Sequence, residues 1–358
     1  MPELDQLLRH LSEAGGSDLH LAAGLEPRVR QKGRVRPIEG QPILEDAKLR
    51  LWMQEIAPPR AWDEFVETND LDFAYGIEGV ARFRANYFVQ NQGAAAVFRI
   101  IPEEIVAAED LGMPSSVTDL ADLTEGLVLV TGPTGSGKST TLAAIIDRLN
   151  KRYARHVVTI EDPVEFVHQN RKSLFSHREV GLHTEGFGPA LRSAIRQDAD
   201  VILVGEMRER ETISLAITAA EMGMLVFGTL HTNSAAKTID RIIDAFPAEE
   251  QNMVRLSLSE SLAAVVSQLL LPTADGQGRI AAHEVLLRVS GLANVIREGN
   301  MQMLSSLIQS GKQMGMQAMD DVLYQYVEEG KVSPREGYMK ATEKARFEAL
   351  LEASPLAE

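Results

Sequence analysis

The residues whose types and spacing most directly suggest chemistry are Gly132-Pro133-Thr134-Gly135-Ser136-Gly137-Lys138-Ser139, followed by Thr140. They satisfy the pattern G-x-x-x-x-G-K-[ST] without a mismatch. Glycines at these positions let the chain curl until successive backbone N–H groups point inward, which makes a cradle for phosphate oxygens. Lys138 would reach the β- and γ-phosphates of a nucleotide, and the Ser139 hydroxyl would ligate Mg2+. The context is the one such a loop requires. An apolar run, Leu127–Val130, precedes it, and Leu142, Ile145, Ile146 and Leu149 follow at helical spacing. The positive end of that helix adds to the field of the loop. The stretch implies binding of a nucleoside triphosphate, ATP with Mg2+.

Hydrolysis needs more: carboxylates that hold the metal directly or through its waters, and a group that orients the attacking water. In an open α/β sheet, ligands sit off the carboxyl ends of the strands. Three later apolar runs end in polar residues. Val157–Ile160 runs into Glu161-Asp162-Pro163-Val164-Glu165, Val201–Val204 into Gly205-Glu206, and Leu225–Leu230 into His231-Thr232. Glu206 is the candidate catalytic base. Glu161 and Asp162 are candidates for the Mg2+ shell, and His231 for a sensor of the γ-phosphate. A common pattern places an Asp directly before that Glu, but Gly205 occupies the slot here. Metal support is therefore expected from the 161–165 cluster.

The elements that must position these residues follow from periodicity. From 119 onward, short apolar runs alternate with helical stretches at 139–150, 188–197 and 210–222, which implies a parallel sheet with crossover helices. Helices are expected over 248–270 and 291–331, and again in the charged segment from 332. Five methionines between 301 and 319 read as packing residues. The N-terminal part reads as α+β. It has an amphipathic helix over 3–14, a strand at 17–21, and a hairpin of 28–30 with 34–36 around Lys32-Gly33. A helix over 45–57 closed by Pro58-Pro59 is followed by strands at 71–75, 81–89 and 94–101. In the strand at 81–89, Phe83, Ala85 and Tyr87 share one face and Arg82, Arg84 and Asn86 the other. Arg99 ends the next strand. The three arginines form either a phosphate-reading patch or a solvated sheet face. The expected organisation is an N-terminal domain 1–101, a linker 102–118, an ATPase core 119–290 and a C-terminal helical region 291–358.

Composition bounds the partners. The chain has 358 residues, enough for about two cores, with 44% hydrophobic and 24% charged residues, as in ordinary globular proteins. There is no cysteine, which excludes disulfides and Cys-based metal centres and fits a reducing cytoplasm. No apolar run approaches the length of a membrane span, and no signal peptide is expected at the start. Thirty-six basic against 51 acidic residues give a net charge of −15, opposite in sign to a chain that holds nucleic acid through its phosphates. No direct nucleic-acid partner is expected.

Taken together, the sequence resembles the PilT-type retraction ATPases of type IV pili, in the secretion-ATPase superfamily. The resemblance is carried by Ser17–Leu21, Arg82–Asn86, Gly132–Thr141, Thr159–Glu165, Asp200–Arg208, Gly228–Thr232 and Ile296–Glu298. It implies a PAS-like N-terminal domain, a RecA-like P-loop ATPase domain and C-terminal helices. It also implies a ring hexamer at the cytoplasmic face of the inner membrane, beneath a pilus platform protein, acting indirectly on pilin in twitching motility. By residue, the implied catalytic glutamate falls on Glu206, the acidic-box glutamate on Glu161 and the His-box histidine on His231. The arginines expected near the γ-phosphate fall on Arg82, Arg84 and Arg99. Two motifs depart from the family: Glu221-Met-Gly-Met224 stands where Glu-Thr-Gly-His is usual, and Leu292–Glu298 lacks the first arginine of the C-terminal motif. The rival readings are an accessory paralogue, a pilus-extension or type II secretion ATPase, and a RecA-like nucleic-acid motor.

Overall fold

Tyr87 lies in the core of the N-terminal part of the chain. Its ring makes edge contacts with Phe65, Phe73 and Phe98, and its hydroxyl donates to the Met53 carbonyl at 3.2 Å. The structure, a computed structural model, describes residues 2–31, 33–101 and 104–352. Lys32 of the expected hairpin turn, the first two residues of the expected linker and residues 353–358 lie outside the described residues. The chain divides into two compact units, residues 1–104 with 162–167, and residues 105–161 with 168–358.

The first unit contains α1 (Glu3–Glu13), β1 (Asp18–Ala22), β2 (Arg28–Gln31), β3 (Arg34–Pro37), α2 (Asp46–Ile56), α3 (Pro59–Thr68), β4 (Asp70–Ile77), β5 (Ala81–Gln90) and β6 (Gly93–Ile101). Its six strands form one antiparallel sheet in the order β3-β2-β1-β6-β5-β4. Helices α1, α2 and α3 supply Leu4, Leu8, Leu49, Met53 and Phe65 to the core beneath it. Helix α3 corrects the reading of Pro58-Pro59 as a stop only. Proline is compatible with the first helical turn, where its missing N–H has no partner to lose, and Pro59 starts this helix.

The second unit begins with a short α4 (Ser115–Thr118) and a 3-10 turn (Asp119–Asp122). It continues with β7 (Gly126–Thr131), α5 (Lys138–Arg152), β8 (His156–Glu161), β9 (Leu174–Glu179), α6 (Phe187–Ala194), β10 (Val201–Val204), α7 (Arg210–Glu221), β11 (Leu225–Leu230), α8 (Ala235–Asp244) and α9 (Ala248–Ser261). Then come β12 (Leu262–Pro272), β13 (Arg279–Leu287), α10 (Ser290–Glu298), α11 (Met303–Ser310), α12 (Met319–Glu328), α13 (Pro334–Lys340) and α14 (Ala345–Glu352). Seven strands order as β13-β12-β7-β11-β10-β8-β9. All neighbours are parallel except β12 and β13. Every residue of β7, β10 and β11 is buried, as a sheet covered on both faces requires.

Two helical expectations are corrected. The stretch 248–270 is helical only to Ser261; from Leu262 it is strand β12, parallel to β7. Leu262–Leu271 is apolar almost throughout and β-branched at Val265 and Val266, and burial between β7 and β13 outweighs the helical spacing upstream. The stretch 291–331 is not continuous. Gly299 and Gly315, at φ 70° and 89°, end helical segments in the left-handed conformation that glycine adopts at least cost. Strand β9 was not anticipated. It is an edge strand with only Phe175 and Glu179 buried, so its apolar signal is weak. Of the methionines, Met316 and Met319 are packed in cores, whereas Met303 and Met314 are exposed.

Candidate nucleotide-binding and hydrolytic site

Strand β7 delivers the chain into the loop 132–137, and α5 leaves it at Lys138. Three glycines take positive φ, Gly132 at 149°, Gly135 at 79° and Gly137 at 86°. Gly132 is needed for a second reason. A Cβ there would lie 2.3 Å from the Gln268 carbonyl oxygen, so only glycine lets the loop root pack against β12. Pro133, Thr134 and Gly135 are exposed, Ser136 is buried, and Lys138, Ser139 and Thr140 are half-buried. The Lys138 ammonium donates to the carbonyls of Gly132 at 2.9 Å and Pro133 at 3.2 Å, which holds it over the loop mouth. The first N–H groups of α5 and its positive end face the same loop.

Beyond β7 in the sheet lie β11, β10 and β8, all parallel, so their carboxyl ends share one edge with the loop. His231 follows β11, Glu206 follows β10 after Gly205, and Glu161 ends β8. Two bonds stitch the tail of β10 to β11: Met207 N–H donates to the Thr229 carbonyl at 3.0 Å, and the Thr229 hydroxyl to the Gly205 carbonyl at 2.5 Å. Thus held, Glu206 Oε1 lies 2.7 Å from His231 Nε2 and also accepts from Arg208 Nε. The two side chains are 24% and 42% exposed, open enough to meet a ligand and its waters. Both contacts engage Oε1.

Glu161 is buried. The absence of a side chain at Gly205 makes room for it: a Cβ there would lie 3.2 Å from the Ile160 carbonyl oxygen, 3.3 Å from Glu161 Cα and 3.4 Å from Glu161 Cγ. Asp162 is exposed and belongs to the first unit, separated by that division from Glu161. For a magnesium ion the donors offered are the Ser139 hydroxyl and the Glu161 carboxylate. Among the described residues no group of three or more His, Asp or Glu forms a cage. That donor set fits Mg2+, which takes one or two protein oxygens and fills its octahedron with phosphate oxygens and water.

Sequence reasoning missed the polar supports of the loop, which come from β12. Gln268 is only 3% exposed. Its amide nitrogen donates to the Ser136 carbonyl at 2.6 Å, and its amide oxygen accepts from the Thr141 hydroxyl at 2.7 Å. Alongside it runs a chain of hydroxyls: Thr232 to Thr238 at 2.7 Å, Thr238 to Thr131 at 3.4 Å, and Thr131 to Ser267 at 2.9 Å. It links the residue after His231 to the root of the loop through α8.

The three arginines lie in the first unit. Arg84 and Arg99 face each other across β5 and β6, and Arg82 shares the face of Arg84. Arg84 pairs with Asp72 at 3.4 Å, and Arg99 with Asp18 at 2.8 Å. Burial alone would raise the Asp18 carboxyl, but hydrogen bonds from Ser17 and Arg99 hold it below the usual range. The Arg84 and Arg99 guanidiniums are thus partnered within their own sheet.

Residues 70–337 match the model of the family described as type II/IV secretion system protein. The type IV pilus retraction ATPase PilT of Pseudomonas aeruginosa is 51% identical over 339 residues, covering 95% of this chain and 98% of that protein. A twitching motility protein of Neisseria gonorrhoeae is 54% identical over 88% of this chain and 84% of its own. The crystal structure of the pilus retraction motor PilT with bound ADP superposes with a TM-score of 0.89 at 41% identity, covering 95% of this chain and 97% of that one. The fold agrees with that match, and the chain belongs to the type II/IV secretion system protein family.

Proposed function

We propose that this protein is a Mg2+-dependent ATPase that works as a hexameric motor and powers type IV pilus retraction. The observation that carries the enzymatic part is the Glu206–His231 pair, set on the same sheet edge as the phosphate loop. Full-length similarity to a retraction ATPase supports the biological part. In this reading backbone N–H groups of the loop, that of Gly137 among them, cradle the phosphates, and Lys138 neutralises the β- and γ-oxygens. Glu206 orients the attacking water and accepts its proton. His231, hydrogen-bonded to that carboxylate, registers whether the γ-phosphate is present, and the hydroxyl chain passes its position to α8. Ser139 and Glu161, with Asp162 through water, hold the ion. Magnesium, when bound, neutralises the charge that builds on the transferred phosphoryl group. Arg82, Arg84 and Arg99 are proposed to meet the γ-phosphate, Arg84 and Arg99 exchanging their present ion pairs for it.

The motor would act at the cytoplasmic face of the inner membrane, on a pilus platform protein and through it on pilin. Among the described residues no helix is long and apolar enough to cross a membrane, which suits attachment through a partner. The test is pilus display and surface motility in a strain lacking the protein, complemented with wild type or Glu206→Gln. Excess pili with lost motility, rescued by wild type alone, is expected. Purified Glu206→Gln should bind ATP within about threefold of wild type and lose about 10²–10⁴-fold in kcat, the range of a general base. Bald cells would instead indicate an extension ATPase, and turnover stimulated by DNA would indicate a nucleic-acid motor.

A further inference from the structure

We propose that Gln268 is a positioning residue for the phosphate loop: it holds the Ser136 carbonyl so that the Gly137 N–H is aimed at the phosphates. The inference rests on nucleotide binding at this loop and adds a residue from outside it. A trans peptide is planar, with C=O and N–H pointing in opposite directions. Whatever fixes the Ser136 carbonyl therefore fixes the N–H of Gly137 on the other side of the same plane. Gln268 does this with a buried 2.6 Å hydrogen bond, from a strand paired directly with β7. Its amide oxygen takes the Thr141 hydroxyl at 2.7 Å, so one side chain also ties the loop to the first turn of α5.

Two close approaches show that the loop is shaped around this residue. The Gln268 backbone oxygen would meet a Cβ at Gly132 at 2.3 Å, and its amide nitrogen would meet a Cβ at Gly137 at 3.0 Å. Its register partner on β13 is His283, a buried imidazole that burial lowers to about 4. A loop that binds anions through N–H groups needs its carbonyls turned outward and satisfied. Without a donor at 268 the 136–137 peptide is free to rotate, and the Gly137 donor is lost from the cradle.

The sharpest variant is Gln268→Glu, which keeps the shape. Protonated, the new side chain offers one O–H donor and one C=O acceptor, the same pair as the amide. Ionised, it has no donor and repels the Ser136 carbonyl. Burial raises such a carboxyl, so the change falls in a measurable range. ATP and ADP affinities are measured by calorimetry from about pH 8 to about pH 6, as ratios to wild type at each pH, with thermal unfolding of the nucleotide-free protein alongside. At the alkaline end, affinity for both nucleotides is expected to fall about tenfold, the worth of a lost buried hydrogen bond. The deficit should shrink as pH falls. A deficit independent of pH, or affinities within twofold of wild type throughout, would overturn the proposal. If Gln268→Glu does not fold, Thr141→Val decides: weaker ATP binding at an unchanged melting temperature is expected, and unchanged binding refutes the clamp. A wild-type protein that binds no nucleotide would refute the reading of the loop itself.

Discussion

Many P-loop enzymes carry an Asp where this chain has Gly205, so restoring it looks like a repair. The structure argues that it is damage. A Cβ at 205 would stand 3.2 Å from the Ile160 oxygen and 3.3–3.4 Å from Glu161 Cα and Cγ. Relaxed contacts to carbon lie at about 3.5–4.0 Å, so the shortfall is a few tenths of an ångström on each of three sides. Strands β8 and β10 cannot spread to provide it, because the Gly205 N–H donates to the Ile160 carbonyl at 2.8 Å. The Glu161 side chain is the softest of the three neighbours and is the one displaced. Gly205→Ala should therefore cost about 1–2 kcal/mol of stability as a small overpacking, or a few degrees in melting temperature. Turnover should fall by about tenfold or more, since misplacement by 1 Å at a reacting site costs about 10²-fold. Gly205→Asp adds a second carboxylate beside a buried one and should be worse than alanine on both counts. The assay is steady-state ATPase as a function of Mg2+, with thermal unfolding in parallel. Wild-type turnover by Gly205→Asp would refute both the crowding argument and the role of Glu161.

Two further expectations concern stability. Burial lowers His283 and His168 to about 4, whereas an unfolded histidine titrates near 6.5. The unfolded chain thus binds more protons between those values, so their contribution is full above about pH 6.5 and is lost progressively down to about pH 4. Burial raises the Glu284 carboxyl, which acts in the opposite sense over part of that window. The diagnostic is therefore His283→Gln, which should show a smaller drop in melting temperature from about pH 7 to pH 5 than wild type, and an equal drop would contradict the assignment. Glu284 also accepts from the Ala235 N–H at 2.7 Å at the start of α8 and from the Met319 N–H at the start of α12. Glu284→Leu leaves both donors unsatisfied and should cost about 2 kcal/mol, or about 4–8 °C, while an unchanged melting temperature would mean that water replaces the carboxylate.

The fold was legible where burial imposes a simple pattern. Leu127–Val130, Val201–Val204 and Leu225–Leu230 are short, apolar and bounded by turns, and all three are central parallel strands. The alternation of Phe83, Ala85 and Tyr87 with Arg82, Arg84 and Asn86 describes a strand with one wet face, as found. The failures have physical causes. Leu262–Leu271 follows α9 with no Gly or Pro between them, so nothing local marks the change of period at Ser261. What makes it a strand is the open edge of β7, a partner more than a hundred residues away. At Pro59 the signal was read with the wrong sign, since the residue that forbids a helix interior favours a helix start.

The site divides in the same way. The phosphate loop is legible because its chemistry is local: one run of eight residues bends the backbone, supplies the cation and starts the helix. Glu206 and His231 are legible one step further on, because strand ends predict a shared edge. Gln268 belongs to neither class, yet its signal was present. Ser267-Gln268 interrupts a run that is otherwise apolar from Leu262 to Leu271. A strand buried on both faces tolerates an amide only if both ends of that amide are satisfied. Such a residue therefore announces a polar partner before the partner is known. Here the partners are the Ser136 carbonyl and the Thr141 hydroxyl, on the two sides of the loop's Gly137-Lys138-Ser139-Thr140. Reading that amide as a demand for a partner, and asking which buried carbonyl of the chain most needs a donor, leads from β12 to the loop. The Gly132 and Pro133 carbonyls take the loop's own Lys138, whereas the Ser136 carbonyl finds its donor on β12.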